Sequence, residues 1–308
     1  MGRRNKKGDK VDGWVNLDKP LGMTSTQAVG KIRRLLNGQK VGHAGTLDPL
    51  ASGVLPIALG EATKTIPYMQ DALKAYEFPV TWGEQRTTDD AEGEVLHSSD
   101  VRPSQSDIEA ALPHYVGDIT QTPPQFSAVK IDGQRAYDLA RKGEDVEIKS
   151  REVYVEDLQL LSCDADSTRL KLICGKGTYV RSIARDIALE LGTYGYVSAL
   201  RRVAVGCFDV EDTISLEMLQ DLEHIPARDA ALLPVQVVLD DIPALEIKQA
   251  EITALRNGQA LSLISRSDFQ RIEDLDHDGE ALAIHQDKAI AIVDIDGPQV
   301  KPVRVFNL

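Results

Sequence analysis

The chain has 308 residues, 42% hydrophobic and 27% charged, with a formal net charge of −13. That length and balance predict a folded chain of about two domains, and no apolar run approaches the roughly 20 residues that span a bilayer. The basic N-terminus MGRRNKKGDK lacks the apolar stretch of a secretory signal, and Cys163, Cys174 and Cys207 are too scattered for a disulfide framework or a zinc site, which fits a reduced, cytoplasmic setting. Charge is uneven: residues 1–40 carry ten Lys/Arg against three Asp/Glu, whereas residues 209–308 carry eight against twenty. A polyanion responds to local potential, so the acidic total does not exclude nucleic acid. A solvated basic tail on an acidic protein explains the charge equally well.

In chain order, residues 1–10 read as a disordered tail and 11–18 as a short strand running into the turn DKPLGMTS. Ser25 or Thr26 caps a predicted helix reaching about Leu36, with Val29, Ile32, Arg33 and Leu36 at helical spacing. After a glycine-marked loop over 42–53, Val54 to Leu59 reads as a buried strand. Residues 74–83, KAYEFPVTWG, alternate like a strand in which Pro79 predicts an edge or a bulge. A helix is expected over 104–116, then a Pro- and Gly-marked projecting loop with a short helix from Gln121 to Gly143. Strands are expected at 152–160 and 168–174. A turn at Gly175 should open an amphipathic helix ending by Gly192, with Ile183, Ile187, Ala188 and Leu191 on one face. A boundary falls near Pro234–Pro243, and beyond it ITALRNGQAL, EALAIHQ and KAIAIVDIDGPQVKPVRVFNL read as short alternating segments of a compact β module. The pattern is α+β followed by a small β domain.

Residues 42–53, Gly-His-Ala-Gly-Thr-Leu-Asp-Pro-Leu-Ala-Ser-Gly, are the most informative stretch. One carboxylate, Asp48, stands between Leu47 and Pro49, with His43 five residues upstream and Gly42, Gly45 and Gly53 around it. Glycine permits positive φ and close approach, and proline suits the first turn of a helix, so the run predicts a tight loop holding an acid where a helix begins. Taken alone, Asp48 reads more readily as a helix N-cap, a role that leaves the surrounding glycines and the histidine unexplained.

Seven segments in order extend the reading: DKPLGMTS at 18–25, the 42–53 loop, Lys74-Ala75-Tyr76, TDDAEG at 88–93, QTPPQFSA at 121–128, YDLAR at 137–141 and GTYVRSI at 177–183. Together they resemble the bacterial tRNA pseudouridine-55 synthases of the TruB type, from about Gly13 to Phe306. Ala44 departs from the hydroxyl residue more usual there. The resemblance implies a mixed, mostly antiparallel central sheet flanked by helices, with a catalytic domain over 11–240 and an RNA-gripping insertion at about 123–152. It also implies a PUA-like RNA-binding β-barrel at 243–308, matched by Arg256 to Gln259 and Lys301 to Phe306. The activity implied is isomerisation of uridine 55 in the T arm of tRNA, with the target base flipped out, no cofactor and no metal.

By the same resemblance Asp48, Tyr76 and Arg181 are the catalytic residues: the acid, a tyrosine against the uracil, and a guanidinium that orients the acid. Tyr179 and Leu200 would line the uracil pocket, and His43 would position RNA. Lys19, Lys64, Arg141, Lys176, Arg201 and Arg202 are candidate phosphate contacts, whereas Asp90 is assigned to the site wall or a turn. His97, His114, His224, His277 and His285 are scattered and assigned to no metal. The implied partner is the tRNA T arm, with no membrane, no obligatory protein partner and a monomeric chain. A tRNA-folding factor with little catalysis and a guide-RNA-dependent synthase are the rival readings.

Overall fold

The computed structural model describes residues 8–127, 130–131, 134–135, 148–221, 231–273, 275 and 279–308. The tail expected to be disordered lies mostly outside these residues, as does most of the projecting loop, including Tyr137 to Arg141. The first half holds β1 (Gly13–Lys19), α1 (Ser25–Leu35), β2 (Val41–His43), β3 (Ala51–Leu59), α2 (Ile66–Asp71) and β4 (Lys74–Trp82). There follow β5 (Glu84–Arg86), β6 (Val95–Ser98), α3 (Gln105–Ala111), β7 (Gly117–Gln121), and the short pair β8 (Lys130–Ile131) and β9 (Gln134–Arg135). Next come β10 (Arg151–Cys163), β11 (Ser167–Cys174), α4 (Val180–Glu190), β12 (Gly195–Val197), β13 (Leu200–Val205) and β14 (Phe208–Asp209).

Among the described residues, ten strands form one sheet whose main path is β1-β3-β13-β4-β11-β10-β7. Every pairing along this path is antiparallel except β3 with β13, so the sheet is mixed and mostly antiparallel, as expected. The parallel pair sets Leu200 opposite Ala51 and Arg202 opposite Gly53, which brings the start of β13 beside the Asp48 loop. Gly53 has φ +100°, and a Cβ there would stand 2.1 Å from the Arg202 carbonyl oxygen, so this close crossing admits only glycine.

Two layers of apolar side chains hold the sheet. On α1, Ala28 and Ile32 pack with Leu17, Leu55 and Ile57, while on α4 Ile183, Ala184 and Ile187 pack with Phe78, Leu170 and Leu172. The cap of α1 is Thr24, one residue before the expected position: its hydroxyl accepts from the Gln27 N–H, and the Gln27 side chain closes a capping box.

Two local expectations are corrected. No helix starts at Pro49; Ala51 N–H donates to the Asp48 carbonyl at 3.0 Å and the chain turns directly into β3, which therefore begins earlier than Val54. The demand for a paired neighbour beside β1 and β13 outweighs the Asp-Pro helix signal. Pro79 sits inside β4, a central strand, rather than at an edge or bulge. Its carbonyl accepts from Ser198 N–H at 3.2 Å, where the neighbouring chain passes from β12 to β13. The absent N–H of Pro79 faces the same gap, so no ladder bond is lost there.

The remaining elements are α5 (Leu216–Asp221), β15 (Ala244–Glu246), α6 (Gln249–Arg256), β16 (Leu261–Ser262), α7 (Arg266–Glu273), β17 (Gly279–His285), β18 (Lys288–Asp296) and β19 (Gln299–Val305). The five C-terminal strands pair in the order β15-β17-β18-β19-β16. The segment ITALR, read as part of a β module, is helical: Ile252 and Leu255 bury one face of α6 at a spacing a strand would split between its two faces. Leu282, Ile292 and Phe306 of this unit share a core with Trp14, Val54 and Phe208. Among the described residues, no helix is long and apolar enough to cross a membrane.

Candidate active site

Asp48 owes its position to the first residue of α1. The buried Ser25 hydroxyl accepts from the Leu47 N–H at 2.8 Å and donates to the Leu47 carbonyl at 3.0 Å. Leu47 itself is buried in the core beneath α1. With both backbone groups of its neighbour clamped, Asp48 projects outward and keeps 55% of its side chain exposed. From the sequence Ser25 was read only as a candidate helix cap; its clamp on Leu47 joins segments 22 residues apart.

The Arg181 side chain, only 10% exposed, reaches the acid from the first turn of α4. Its Nη2 donates to Asp48 Oδ2 at 3.1 Å and to the Phe126 carbonyl at 3.1 Å, while Nη1 donates to Asp90 Oδ2 at 3.0 Å and to the Thr88 carbonyl at 2.9 Å. A planar guanidinium can satisfy these directions together, and an ammonium cannot. Asp90 supports the site through Arg181, consistent with its assignment to the wall.

Asp48, Tyr76, Tyr179, Arg181, Leu200 and Arg202 line one cavity of about 710 Å³, within the size range of small-molecule sites. Tyr76 lies on β4 opposite Leu172 of β11 and Arg202 of β13. Burial pushes its phenol above the ordinary value, with the Arg202 guanidinium pulling the other way, so Tyr76 remains a hydroxyl through the neutral range. Tyr179 precedes α4, and the Gln121 amide brackets it: Tyr179 N–H donates to Gln121 Oε1 at 2.7 Å, and Gln121 Nε2 donates to the Tyr179 carbonyl at 3.1 Å. The Arg151 guanidinium lies 5.1 Å from the centre of the Tyr179 ring. Gln121 and Arg151 were not singled out from sequence, because their contacts join segments far apart in the chain.

His43 does not line this cavity. Its Nδ1 is buried without a hydrogen-bond partner among the described residues, and burial, then the nearby Arg202 charge, lower its pKa. A neutral ring suits positioning better than proton donation.

The basic candidates divide. Lys19 is fully buried and donates to the carbonyls of Pro20 at 2.9 Å and Met23 at 2.7 Å, with burial lowering its pKa to about 8. Arg202, 1% exposed, donates through Nε to the Val54 carbonyl at 2.7 Å and through Nη2 to that of Gly45 at 3.2 Å. The expectation that these two meet phosphates from solvent is corrected: both are internal staples, and residue type alone did not reveal their burial. Lys64 pairs with Glu61 at 2.6 Å and donates to the Val305 carbonyl at 2.7 Å, tying β19 to the segment between β3 and α2. Arg201 grips Asp18 through two bonds, at 2.8 and 3.2 Å. Lys176 is exposed on the cavity lining and pairs with Asp71 at 2.5 Å. Arg141 lies outside the described residues. Buried Lys74, whose ammonium donates to the Gln70 and Ala72 carbonyls, joins Arg181 and Arg202 in the lining, so the cavity is cationic although the chain is acidic.

A chain of the crystallised Cbf5-Nop10-Gar1 complex superposes with a TM-score of 0.70 at 27% identity, covering 95% of this chain and 84% of that one. The family model described as "TruB family pseudouridylate synthase (N terminal domain)" matches residues 33–180, and "tRNA pseudouridylate synthase B C-terminal domain" matches 181–240. Fold and family model together define a pseudouridylate synthase. Proteins named tRNA pseudouridine synthase B are close relatives: that of Caulobacter vibrioides is 49% identical, covering 99% of both chains, and that of Agrobacterium fabrum 51%, covering 99% of this chain and 97% of the relative. The chain belongs to the TruB family.

Proposed function

We propose that this chain converts uridine 55 in the T arm of tRNA to pseudouridine, with Asp48 as the reacting carboxylate. The observation that carries the reading is the solvent-facing Asp48 carboxylate, gripped by buried Arg181 in the cavity that also holds Tyr76. The C1′–N1 bond breaks, the freed uracil turns, and C5 bonds to C1′; the proton lost from C5 is balanced by one gained at N1. Asp48 can serve by attack on carbon or by removing a sugar proton. Arg181 keeps the acid aimed, and the uridine must leave its stack to reach it.

Tyr76 is read as packing against the flipped base, with its hydroxyl near the sugar; Tyr179 and Leu200 complete the pocket, and His43 positions the displaced strand. Tyr76→Phe keeps the ring and removes the hydroxyl. It is expected to lower kcat by about 10²-fold or more with KM within about twofold; a full rate in single-turnover assays rejects proton transfer at Tyr76. Lys64, Lys176, Arg201 and Arg141 remain as contacts to RNA phosphates, the first three by exchanging their internal partners.

We read residues 11–240 as the catalytic domain, with 123–152 inserted to grip RNA, and 243–308 as a PUA-like module. Lys301 and Arg304 are its RNA contacts, whereas Phe306 is buried in the shared core. The chain works as a cytoplasmic monomer. Purified protein incubated with an unmodified tRNA transcript should form pseudouridine at position 55 without guide RNA or protein partner. Conversion only with a guide, or tight binding without conversion, overturns the proposal in favour of a guided synthase or a folding factor.

A further inference from the structure

One turn beyond Arg181 on α4, Arg185 repeats its pattern on the adjacent carboxylate. Arg181 Nη1 meets Asp90 Oδ2 at 3.0 Å, and Arg185 Nη1 meets Asp89 Oδ2 at 3.0 Å. Both arginines also hold the segment leading into the insertion: Arg181 donates to the Phe126 carbonyl at 3.1 Å, and Arg185 Nη2 to that of Thr122 at 2.9 Å. Ser182 Oγ, between them, donates to the same Thr122 oxygen at 2.9 Å. Asp89 is 6% exposed and adopts φ +57°, a left-handed conformation uncommon for a residue with a side chain. Its N–H donates to the Arg86 carbonyl at 3.0 Å, and its carbonyl accepts from Val197 N–H at 3.1 Å. Neighbouring aspartates thus face arginines four residues apart, and the backbone linking them couples the two pairs.

A second cavity, of about 300 Å³, is lined by Arg86, Asp89, Thr122, Gln125 and Arg185 among others, and shares no described lining residue with the catalytic cavity. Asp89 and Arg185 therefore border solvent space that substrate in the first cavity does not fill.

Resting on the pseudouridine-synthase reading, we propose that Asp89 and Arg185 are positioning residues: their ion pair holds Asp90 and the Thr122–Phe126 segment in register with α4, so that Arg181 meets Asp48, and protonation of Asp89 releases that hold. From α4, Arg185 and Arg181 favour the ionised carboxylate and Asp186 opposes it. From its own stretch, Arg86 is engaged by Glu84 and stacked on the Tyr196 ring of β12, and Asp90 is taken by Arg181. The Thr122–Gln125 segment brings no titratable group, and Leu96 of β6 and Ile148 close the second cavity with apolar side chains. Burial outweighs the arginines and raises the Asp89 carboxyl to about 6. The pair is complete above that pH and lost below it.

The test is kcat and KM on a tRNA transcript from pH 5 to 8 for the unaltered chain, Asp89→Asn, Arg185→Lys and Arg185→Gln. The unaltered chain should lose kcat as pH falls through about 6. Asp89→Asn and Arg185→Gln should sit about tenfold or more lower at pH 7.5, with KM within about twofold, since small misplacements of reacting groups are costly. Asp89→Asn should also flatten the acidic limb, and Arg185→Lys, which keeps a cation for Asp89, should recover part of the rate. The raised carboxyl binds its proton more readily folded than unfolded, so ionising it costs stability as pH rises from about 4 to about 6. Asp89→Asn should therefore melt no lower than the unaltered chain at pH 7.5. A full rate in Asp89→Asn, an acidic limb unchanged by it, or rate losses that track lower melting in all three variants overturn the positioning role. An unaltered chain without turnover at any pH overturns the functional reading itself.

Discussion

Asp48→Ala is expected to abolish pseudouridine formation, lowering kcat by about 10⁴-fold or more while tRNA binding changes less than about threefold. The size follows from losing a group that takes part in bond making, for which deletions at other enzymes cost about 10⁴ to 10⁶. Binding should persist because RNA is held over a far larger surface, mainly through phosphates. Stability should also persist, within about 0.5 kcal/mol, because the carboxyl is more than half exposed and makes one bond to Arg181. Asp48→Asn sharpens the test, since the amide oxygen can still accept from Arg181 but can neither attack carbon nor take a proton. Appreciable turnover by either variant, measured by pseudouridine mapping with binding checked in parallel, removes Asp48 from the mechanism.

Arg181→Lys should lower kcat by about 10²-fold with KM nearly unchanged, because the lost interaction aims the acid rather than binding RNA. The four donations of Arg181 go to two carboxylates and two carbonyls on three separate chain segments. A lysine reaching Asp90, the more buried carboxylate, gives up Asp48. Arg181→Ala should add a stability loss of about 3 kcal/mol, since Asp90 at 13% exposure is left buried without its cation. Denaturant unfolding of the two variants separates the effects: the lysine variant should stay close to the unaltered chain in stability and far from it in rate. An unchanged kcat in Arg181→Lys refutes the orienting role.

Asp48, Tyr76 and Arg181, which the structure brings to one cavity, were reached through the resemblance of whole segments rather than through their residue types. Asp48 is framed by Gly45 and Gly53, both at positive φ, and at Gly53 the Arg202 backbone passes too close for a Cβ. The basic residues were read less well. Lys19 and Arg202 look like phosphate contacts in a linear chain, yet the structure buries them and uses them to hold carbonyls across the fold. Charge type is written in the sequence; desolvation and partner choice are not. The Asp-Pro step misled for a related reason, since its local preference for a helix is small beside the ladder bonds β3 makes with β1.

The start of α1 to within a residue, its capping box and the apolar faces of α1 and α4 follow from the sequence alone, because they depend on neighbours a few residues apart. What the tertiary structure decided is who meets whom. Asp48 and Arg181 are 133 residues apart and meet because β13 lies between β3, which follows Asp48, and β4, against which α4 packs. Asp89 and Arg185, 96 residues apart, meet because helix periodicity sets two arginines on one face of α4 and the turn between β5 and β6, anchored on Val197, presents two adjacent carboxylates to it. Such pairings are fixed by the burial of a whole core, a sum over many contacts that no short stretch of chain contains.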